Sequence, residues 1–427
     1  MKRIAHYLVL FCILLPSVAG AVDVGVDATS LFRFEQQSVP GFPKQTIVPA
    51  TQFLGADLDK LADGNLSLHM YGWGRVDLAD RSTAEKSTDA DLTYAYLRYR
   101  LPRANGQIRG GRFFVNEGVA AEQIDGLSAR ADLCKEFGLS LFAGAPVQLD
   151  RSRKSKGDYI YGGRMNLRGG GVFELGASAL HEGNVIVDTT TGEKKNREML
   201  GGDVWISPHR VIEGSGHTYY NITTRAIAEH SYLLTLRPVA SWTVTGEYNK
   251  ERFKDYFTFS NLQSLFNPRT GDKLESFGGS AAWTIMKPVE VIGDYRHYKR
   301  DLLGKSDRYG AEIRLGFMDN QVRSGVAYHR SRGAADSNSY NEVRGYGTYR
   351  GKKFQGSIDG IVQIYDHAFS GKHHGYEAIA SAGYRIIPDL VVSGDLSYGE
   401  NPRLTSELRG VLKLTYNLNY SGKGAKQ

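Results

Sequence analysis

Charged side chains recur at every second position in segment after segment of this chain, and that spacing is where its chemistry lies. Arg98 and Arg100, Arg164 and Arg168, Glu312 and Arg314, Glu342 and Arg344, and Arg409 and Lys413 each lie an even number of positions apart. In extended backbone each such pair points to one side. Arg112, Glu247, Glu290, Asp294, Arg323, Asp359 and Asp395 fall in segments of the same kind, completing a candidate face of mixed sign. Charges around a narrow aqueous passage set its ion preference and local field. On adjacent strands they can equally pair and brace a wet wall. Arginines dominate the first few segments, which predicts a weak preference for anions.

Signatures of bond-making chemistry are sparse, and no catalytic residue, metal site or cofactor is expected. No Cys-x-x-Cys-His attaches a haem. His367 with His373-His374 lacks the companion ligands and spacing of a structural metal site. Gly214-Ser215-Gly216-His217 brings a serine and a histidine close, but no third group that would orient them is identifiable. Cys134, the only cysteine beyond the first twenty residues, reads as an incidental buried thiol.

The elements that must hold these charges are strands. Leu408, Gly410, Leu412, Leu414 and Tyr416 oppose Arg409, Val411, Lys413, Thr415 and Asn417. Tyr309, Ala311, Ile313 and Leu315 oppose Arg308, Gly310, Glu312 and Arg314. Tyr376, Ala378, Ala380, Ala382 and Tyr384 oppose Glu377, Ser381 and Arg385. One greasy and one charged face with period two is the pattern of a membrane-spanning β-barrel. A soluble β-sandwich also alternates, but two features speak against it. Rings cluster at strand ends, as at Tyr376 and Tyr384, Tyr340 and Tyr349, and Trp242 and Tyr248, which suits two membrane interfaces. Connections are also asymmetric. Tight turns at Asp63-Gly64, Pro102 to Gly106, Gly169 to Gly171, Pro208, Pro238, Pro288, Asp319-Asn320, Gly351 to Lys353 and Pro388-Asp389 alternate with longer loops. Those loops include Gln36 to Ala50, Asp80 to Asp89, Thr189 to Arg197 and Arg252 to Glu275.

The expected fold is therefore all-β: a single transmembrane antiparallel up-and-down barrel with short periplasmic turns and longer outer loops. Counting segments gives about 22 strands, beginning near residues 24, 51, 65, 90, 107, 122, 138, 157, 172, 198 and 210, then near 226, 241, 276, 288, 305, 320, 339, 353, 374, 389 and 404. Those at 51, 122 and 138 are the least regular, leaving 18 or 20 as alternatives. Gly345, Gly347, Gly356 and Gly360 are expected on the outer wall, where bare backbone lets a curved sheet bend beneath neighbouring tyrosines.

Composition agrees. The chain has 427 residues, 41% hydrophobic and 23% charged, with a mean hydropathy of −0.36. It carries no apolar run of the ~20 residues a helical span needs. Residues 1–21 read as a cleaved secretory signal: Lys2 and Arg3, an apolar Tyr7 to Leu15 containing Cys12, then Ala19-Gly20-Ala21. Residues 22–420 form the barrel, and residues 421–427 a short polar tail beyond Tyr420. Of 53 basic residues, two lie in the leader, leaving 51 against 46 acidic, a surplus of five. Neither that balance nor any basic-aromatic cluster suggests nucleic acid. Export points to the outer membrane of a Gram-negative cell.

A barrel of ~20 or more strands encloses more space than its own side chains fill. Only about 40 residues precede the third strand, too few for a separate plug domain. Two options survive: an open channel constricted by its loops, or a sleeve around another protein. Basic clusters at Arg151 to Lys156, Lys194-Lys195, Lys299-Arg300 and Arg330 to Arg332 are placed in outer loops. They could funnel anions, hold the phosphates of lipopolysaccharide, or stand solvated.

One stretch is more specific than alternation. Gly110-Gly111-Arg112-Phe113 leads to Ile124-Asp125-Gly126-Leu127-Ser128-Ala129, then to Phe142-Ala143-Gly144-Ala145-Pro146. This succession resembles porin-type channels, including alginate-export-like barrels, and it covers under a tenth of the chain. The surrounding sequence is similar to outer-membrane channels of metal-reducing deltaproteobacteria. The resemblance implies either passage of small anions or oxyanions, or a barrel sheathing a periplasmic multihaem cytochrome as part of an electron conduit, with a lipoprotein as another possible partner. Physically, Gly126 and Gly144 would let the wall tighten, and Asp125 is placed to pair with Arg112. The leading expectation is a passive, porin-like channel for small hydrophilic solutes. The conduit scaffold is its rival, and no dedicated domain supports an adhesin or assembly protein.

Overall fold

The computed structural model describes residues 22–38, 43–61, 64–80, 87–147, 157–186, 191–252, 273–301, 303–402 and 406–421. The leader, the tail after Ser421, the cluster Arg151 to Lys156 and most of the loops Asp80 to Asp89 and Arg252 to Glu275 lie outside them. The strands are β1 (Asp23–Ser38), β2 (Gln45–Ile47), β3 (Pro49–Leu61), β4 (Leu66–Asp77), β5 (Thr88–Leu101), β6 (Gly106–Glu117), β7 (Ala120–Asp132) and β8 (Phe137–Pro146). There follow β9 (Tyr159–Gly169), β10 (Phe173–Ile186), β11 (Lys194–His209), β12 (Ile212–Asn221), β13 (Ala226–Leu236), β14 (Trp242–Arg252), β15 (Lys273–Met286) and β16 (Val289–Arg300). The last seven are β17 (Gly304–Phe317), β18 (Val322–Gly333), β19 (Tyr340–Arg350), β20 (Phe354–Phe369), β21 (Lys372–Ile387), β22 (Leu390–Glu400) and β23 (Ser406–Ser421).

Each wall strand pairs antiparallel with the next, and β1 closes the ring against β23 from Asp23↔Ser421 to Ser38↔Ser406. Closure removes the two terminal sheet edges. β2 and β3 both continue along the same side of β1. They are one wall strand interrupted at Val48, where the following Pro49 has no N–H to donate. The wall thus has 22 strands, and all 22 expected segments begin within four residues of an observed strand, including the three least regular.

The two ends differ as expected. One rim carries turns such as Pro102 to Asn105, Gly170 to Val172 and Pro388-Asp389; the other carries the longer connections. Several strands run further toward the long-loop rim than the sequence pattern predicts: β1 continues to Ser38 and β11 begins at Lys194. Consequently Lys194-Lys195, Lys299-Arg300 and Arg330 to Arg332 stand in strands, not loops. Cys134 is a second departure. It lies in the short turn between β7 and β8 and is exposed, because a rim turn offers no interior in which to hide a thiol.

Alternation assigns the faces. Leu127, Ile358 and Val326 are each more than 60% exposed, and with Leu396 and Leu412 they stand on the outward face. Trp242 stacks on Trp283 there at 5.6 Å. Tyr340 departs from the expected ring girdle: its register partner Tyr365 lies on the inner face, and the two rings meet at 5.8 Å inside the barrel. Gly345, Gly347, Gly356 and Gly360 face outward. Tyrosines do not lie over them as expected, since a Cβ added at Gly345 or Gly360 would meet nothing within 4 Å.

Candidate functional site

The inner face is the candidate site, and register places its members. Arg98, Arg100, Arg164, Arg168, Glu247, Glu290, Asp294, Glu312, Arg314, Arg323, Glu342, Arg344, Asp359, Asp395, Arg409 and Lys413 all stand on it. Arg112 does not: it takes the face of β6 opposite to Arg109 and Phe113.

Most of these charges are spent on one another. Arg164 reaches Asp203 and, at 2.8 Å, Glu174. Arg98 bonds Asp59 and Ser67 at 3.2 and 3.0 Å. Arg168 pairs with Asp132 and Arg296 with Glu247. Asp294 and Glu342 share Arg308 and flank His329. Arg314 lies between Glu312 and Glu290, Arg344 on Asp359, and Arg409 between Glu377 and Glu407. Such pairs keep charge lining the wall while holding each long side chain to one position. Arg100, Arg323, Asp395 and Lys413 have no ion-pair partner among the described residues.

The wall is not uniform. Above Arg112, β6 loses its neighbour β5, whose pairing ends at Ala95↔Arg112. Above Ile124, β7 likewise loses β8. The upper part of this hairpin pairs only with itself, up to a two-residue turn at Gly118-Val119. It bends into the barrel and lies against the inner surface of β8 to β12. Glycine makes the bend possible. Gly111 has φ +126°, and a Cβ there would lie 2.9 Å from the Tyr96 Cα. Gly126 and Gly144 face each other so closely that a Cβ on Gly126 would sit 2.6 Å from the Gly144 Cα. The tightening expected of these two glycines is what the wall shows.

Burial holds the hairpin inside. Phe113, Val115, Val119, Ala120 and Ile124 form one cluster with Phe142, Ile160, Leu180 and Met199 of the wall. Burying each large apolar side chain in it contributes about 2 kcal/mol. Polar contacts fix the tip. The Val119 amide donates to Ser178 Oγ at 2.9 Å, the Tyr219 hydroxyl to the Gly118 carbonyl at 2.9 Å, and the Ser140 hydroxyl to Glu117 at 2.7 Å. Arg197 bridges Glu122 of the hairpin to Glu182 of β10, and Glu182 accepts from the Gly157 amide at 2.7 Å. One guanidinium thus ties two buried carboxylates, one from the hairpin and one from the wall; removing it would leave both without their shared cation.

Arg112 works at the fork. Its Nε and Nη2 donate to Asp125 at 2.7 and 2.8 Å, and its Nη1 donates to the Leu92 carbonyl at 3.1 Å. The Gln123 side-chain amide donates to the Thr93 carbonyl. The hairpin thereby supplies donors to the β5 carbonyls that its departure stranded. Arg112 and Asp125 pair as expected, but they seal a break in the wall instead of joining the inner rows.

Sequence patterning does not single out Ser178, Glu182, Arg197 or Tyr219. One signal points toward them: Phe113-Phe114-Val115 is apolar on both faces. Ser215 and His217 share the inner face, and Glu229 supplies the orienting group, at 2.8 Å from His217 Nε2. No hydrogen bond joins Ser215 to His217 among the described residues. Nor, among those residues, do three or more His, Cys, Asp or Glu side chains gather as a metal site would require.

No protein-family model and no curated relative matches the chain. Solved structures that it is similar to include the translocation pore of the P pilus usher PapC, at 11% identity and a TM-score of 0.47, covering 94% of this chain and 100% of that one. Pseudomonas aeruginosa OpdK, solved with vanillate, matches at 9% identity and 0.45, covering 93% and 99%. Acinetobacter baumannii OccAB4 matches at 9% and 0.46, covering 95% and 100%. Likenesses at this level carry nothing about what this lumen admits.

Proposed function

We propose that the chain is an outer-membrane channel through which small hydrophilic solutes pass by diffusion, with the β6–β7 hairpin narrowing the way. The inturned hairpin is the observation that carries this reading. A closed wall with an apolar outer belt and a charged interior suits a bilayer around an aqueous path. A loop anchored inside that path is what sets a size limit. The reading takes residues 1–21 as an export signal and the short-turn rim as periplasmic.

Anion bias rests on the unpaired lumenal cations. Arg100, Arg323 and Lys413 have no carboxylate partner among the described residues, and Asp395 is the one candidate acid in that position. Arg323 and Arg100 stand near the short-turn rim, so the field there favours anions. Lipopolysaccharide phosphates are a fitting partner for Lys299 and Arg332 near the opposite rim. The conduit reading finds less support, because the hairpin takes lumen space that an inserted cytochrome would need. Purification of the barrel with stoichiometric haem would overturn the channel in its favour.

The test is a planar bilayer containing refolded protein in a salt gradient. The channel reading expects discrete conductance steps and a reversal potential of the sign for anions. Steps with the opposite sign would remove the anion bias alone. Absence of steps from a folded sample would remove the channel.

A further inference from the structure

Between β15 and β22, toward the short-turn rim, the inner wall is hollowed into a recess of about 850 Å³. Its floor is made of small hydroxyl-bearing side chains. Cross-strand register puts Arg323, Thr348, Ser357, Ser381 and Asp395 in one row. The next row toward the rim runs Arg350, Gln355, Gly383, Ser393 and Lys413. Short side chains in the middle, with the long Arg323 and Arg350 at one end of each row, produce the hollow. Gly383 deepens it: a Cβ there would meet the Gln355 side chain at 2.9 Å, so the amide lies over bare backbone.

The charge inside is unusual for this wall. Elsewhere most lumenal arginines are bound to carboxylates, whereas Lys287, Arg323 and Arg350 of the recess have no ion pair or side-chain hydrogen bond among the described residues. Glu290 is already engaged by Arg314 at 3.5 Å, leaving Asp395 as the single unengaged acid in the lining. Three such cations beside a shelf of hydroxyl and amide groups match a ligand with one anionic end and several hydroxyls. The cations supply charge-assisted bonds to a carboxylate or phosphate, and the shelf exchanges neutral hydrogen bonds with a polyol. Asp395 can accept from a hydroxyl while repelling a second anionic group.

We propose that this recess is a binding station for a small polyhydroxylated anion, a sugar acid or sugar phosphate, on its way through the lumen. The inference rests on the channel reading for its purpose but not for its test. Detergent-solubilised, folded barrel is titrated by calorimetry with gluconate, glucose 6-phosphate, glucose and propionate. Saturable binding of the first two, and at least tenfold weaker binding of glucose and propionate, is expected. Arg323→Gln with Arg350→Gln should weaken binding of both anions at least tenfold. Ser357→Ala with Ser381→Ala should weaken it about threefold while leaving propionate unchanged. A preference between gluconate and glucose 6-phosphate separates carboxylate from phosphate recognition. Equal affinity for propionate and gluconate, or affinities untouched by the arginine changes in a barrel that still folds, would overturn the station. Conductance without binding sinks the station and spares the channel; binding without conductance does the reverse.

Discussion

The backbone amide of Val119 donates to the hydroxyl of Ser178 at 2.9 Å, joining the tip of the β6–β7 hairpin to a strand 59 residues further along the chain. That bond lies among buried apolar side chains, with Val119 only 4% exposed. A single hydroxyl therefore helps hold the constriction against the wall.

Ser178→Ala should strand the Val119 amide and destabilise the inturned hairpin by about 1–2 kcal/mol. In single-channel records this appears as added open-state current noise with little change in the melting temperature of the whole barrel. A record with unaltered noise would show that the tip is held without this bond.

Arg112→Ala removes the two bonds to Asp125 and the donor to the Leu92 carbonyl together. Loss of about 2–3 kcal/mol is expected, read as a lower urea midpoint for unfolding from lipid vesicles. Asp125→Asn, which preserves shape and one acceptor, should cost less. Equal midpoints for both variants and the parent would mean that the fork needs no such seal.

Gly126→Leu places a side chain where the Cβ alone would run into the Ala143 carbonyl oxygen and lie 2.6 Å from the Gly144 Cα. The β7–β8 pairing cannot absorb this, so the variant should fail to give the compact, heat-modifiable form on gels. Gly360→Ala, at a position with nothing within 4 Å of an added Cβ, should fold as the parent does. A Gly126→Leu barrel that migrates like the parent would show that the wall is not tight there.

Adjacent residues on opposite faces of β23 test which side meets lipid. Leu412→Arg should destabilise the bilayer-inserted barrel by about 2–4 kcal/mol. Val411→Arg, across from Asp395 in the register, should change stability by under about 1 kcal/mol and shift ion preference in the anion direction. Reversal of that order would mean that the faces are misassigned.

Much of this is legible because a strand has period two. Once Leu412 and Lys413 are known to alternate, each strand's two faces follow, and sixteen of the seventeen charges expected on the inner face stand there. What alternation cannot convey is where a hairpin leaves the wall, because β6 and β7 keep their period through the bend. Charge alone puts Arg112 with the inner rows, when period two gives it the face of Ile108 and Phe114 and loss of the β5 neighbour makes it a seal. Cys134 and Tyr340 mislead for simpler reasons: a rim turn exposes its thiol, and a ring near a strand end can point either way. Glu229 beside His217 needs the β12–β13 register, which no local spacing contains.

The proposed channel, narrowed by the third long-rim hairpin, can be tested by removing that hairpin's tip. Replacing residues 115–122 by Asn-Gly keeps the Phe114↔Gln123 pair and closes the hairpin below the constriction. Single-channel conductance of this variant is then compared with that of the parent. Discrete steps are expected from both, larger by about twofold or more in the shortened form. Identical step sizes, or no steps from either protein in a folded state, would mean that the hairpin does not constrict a conducting lumen.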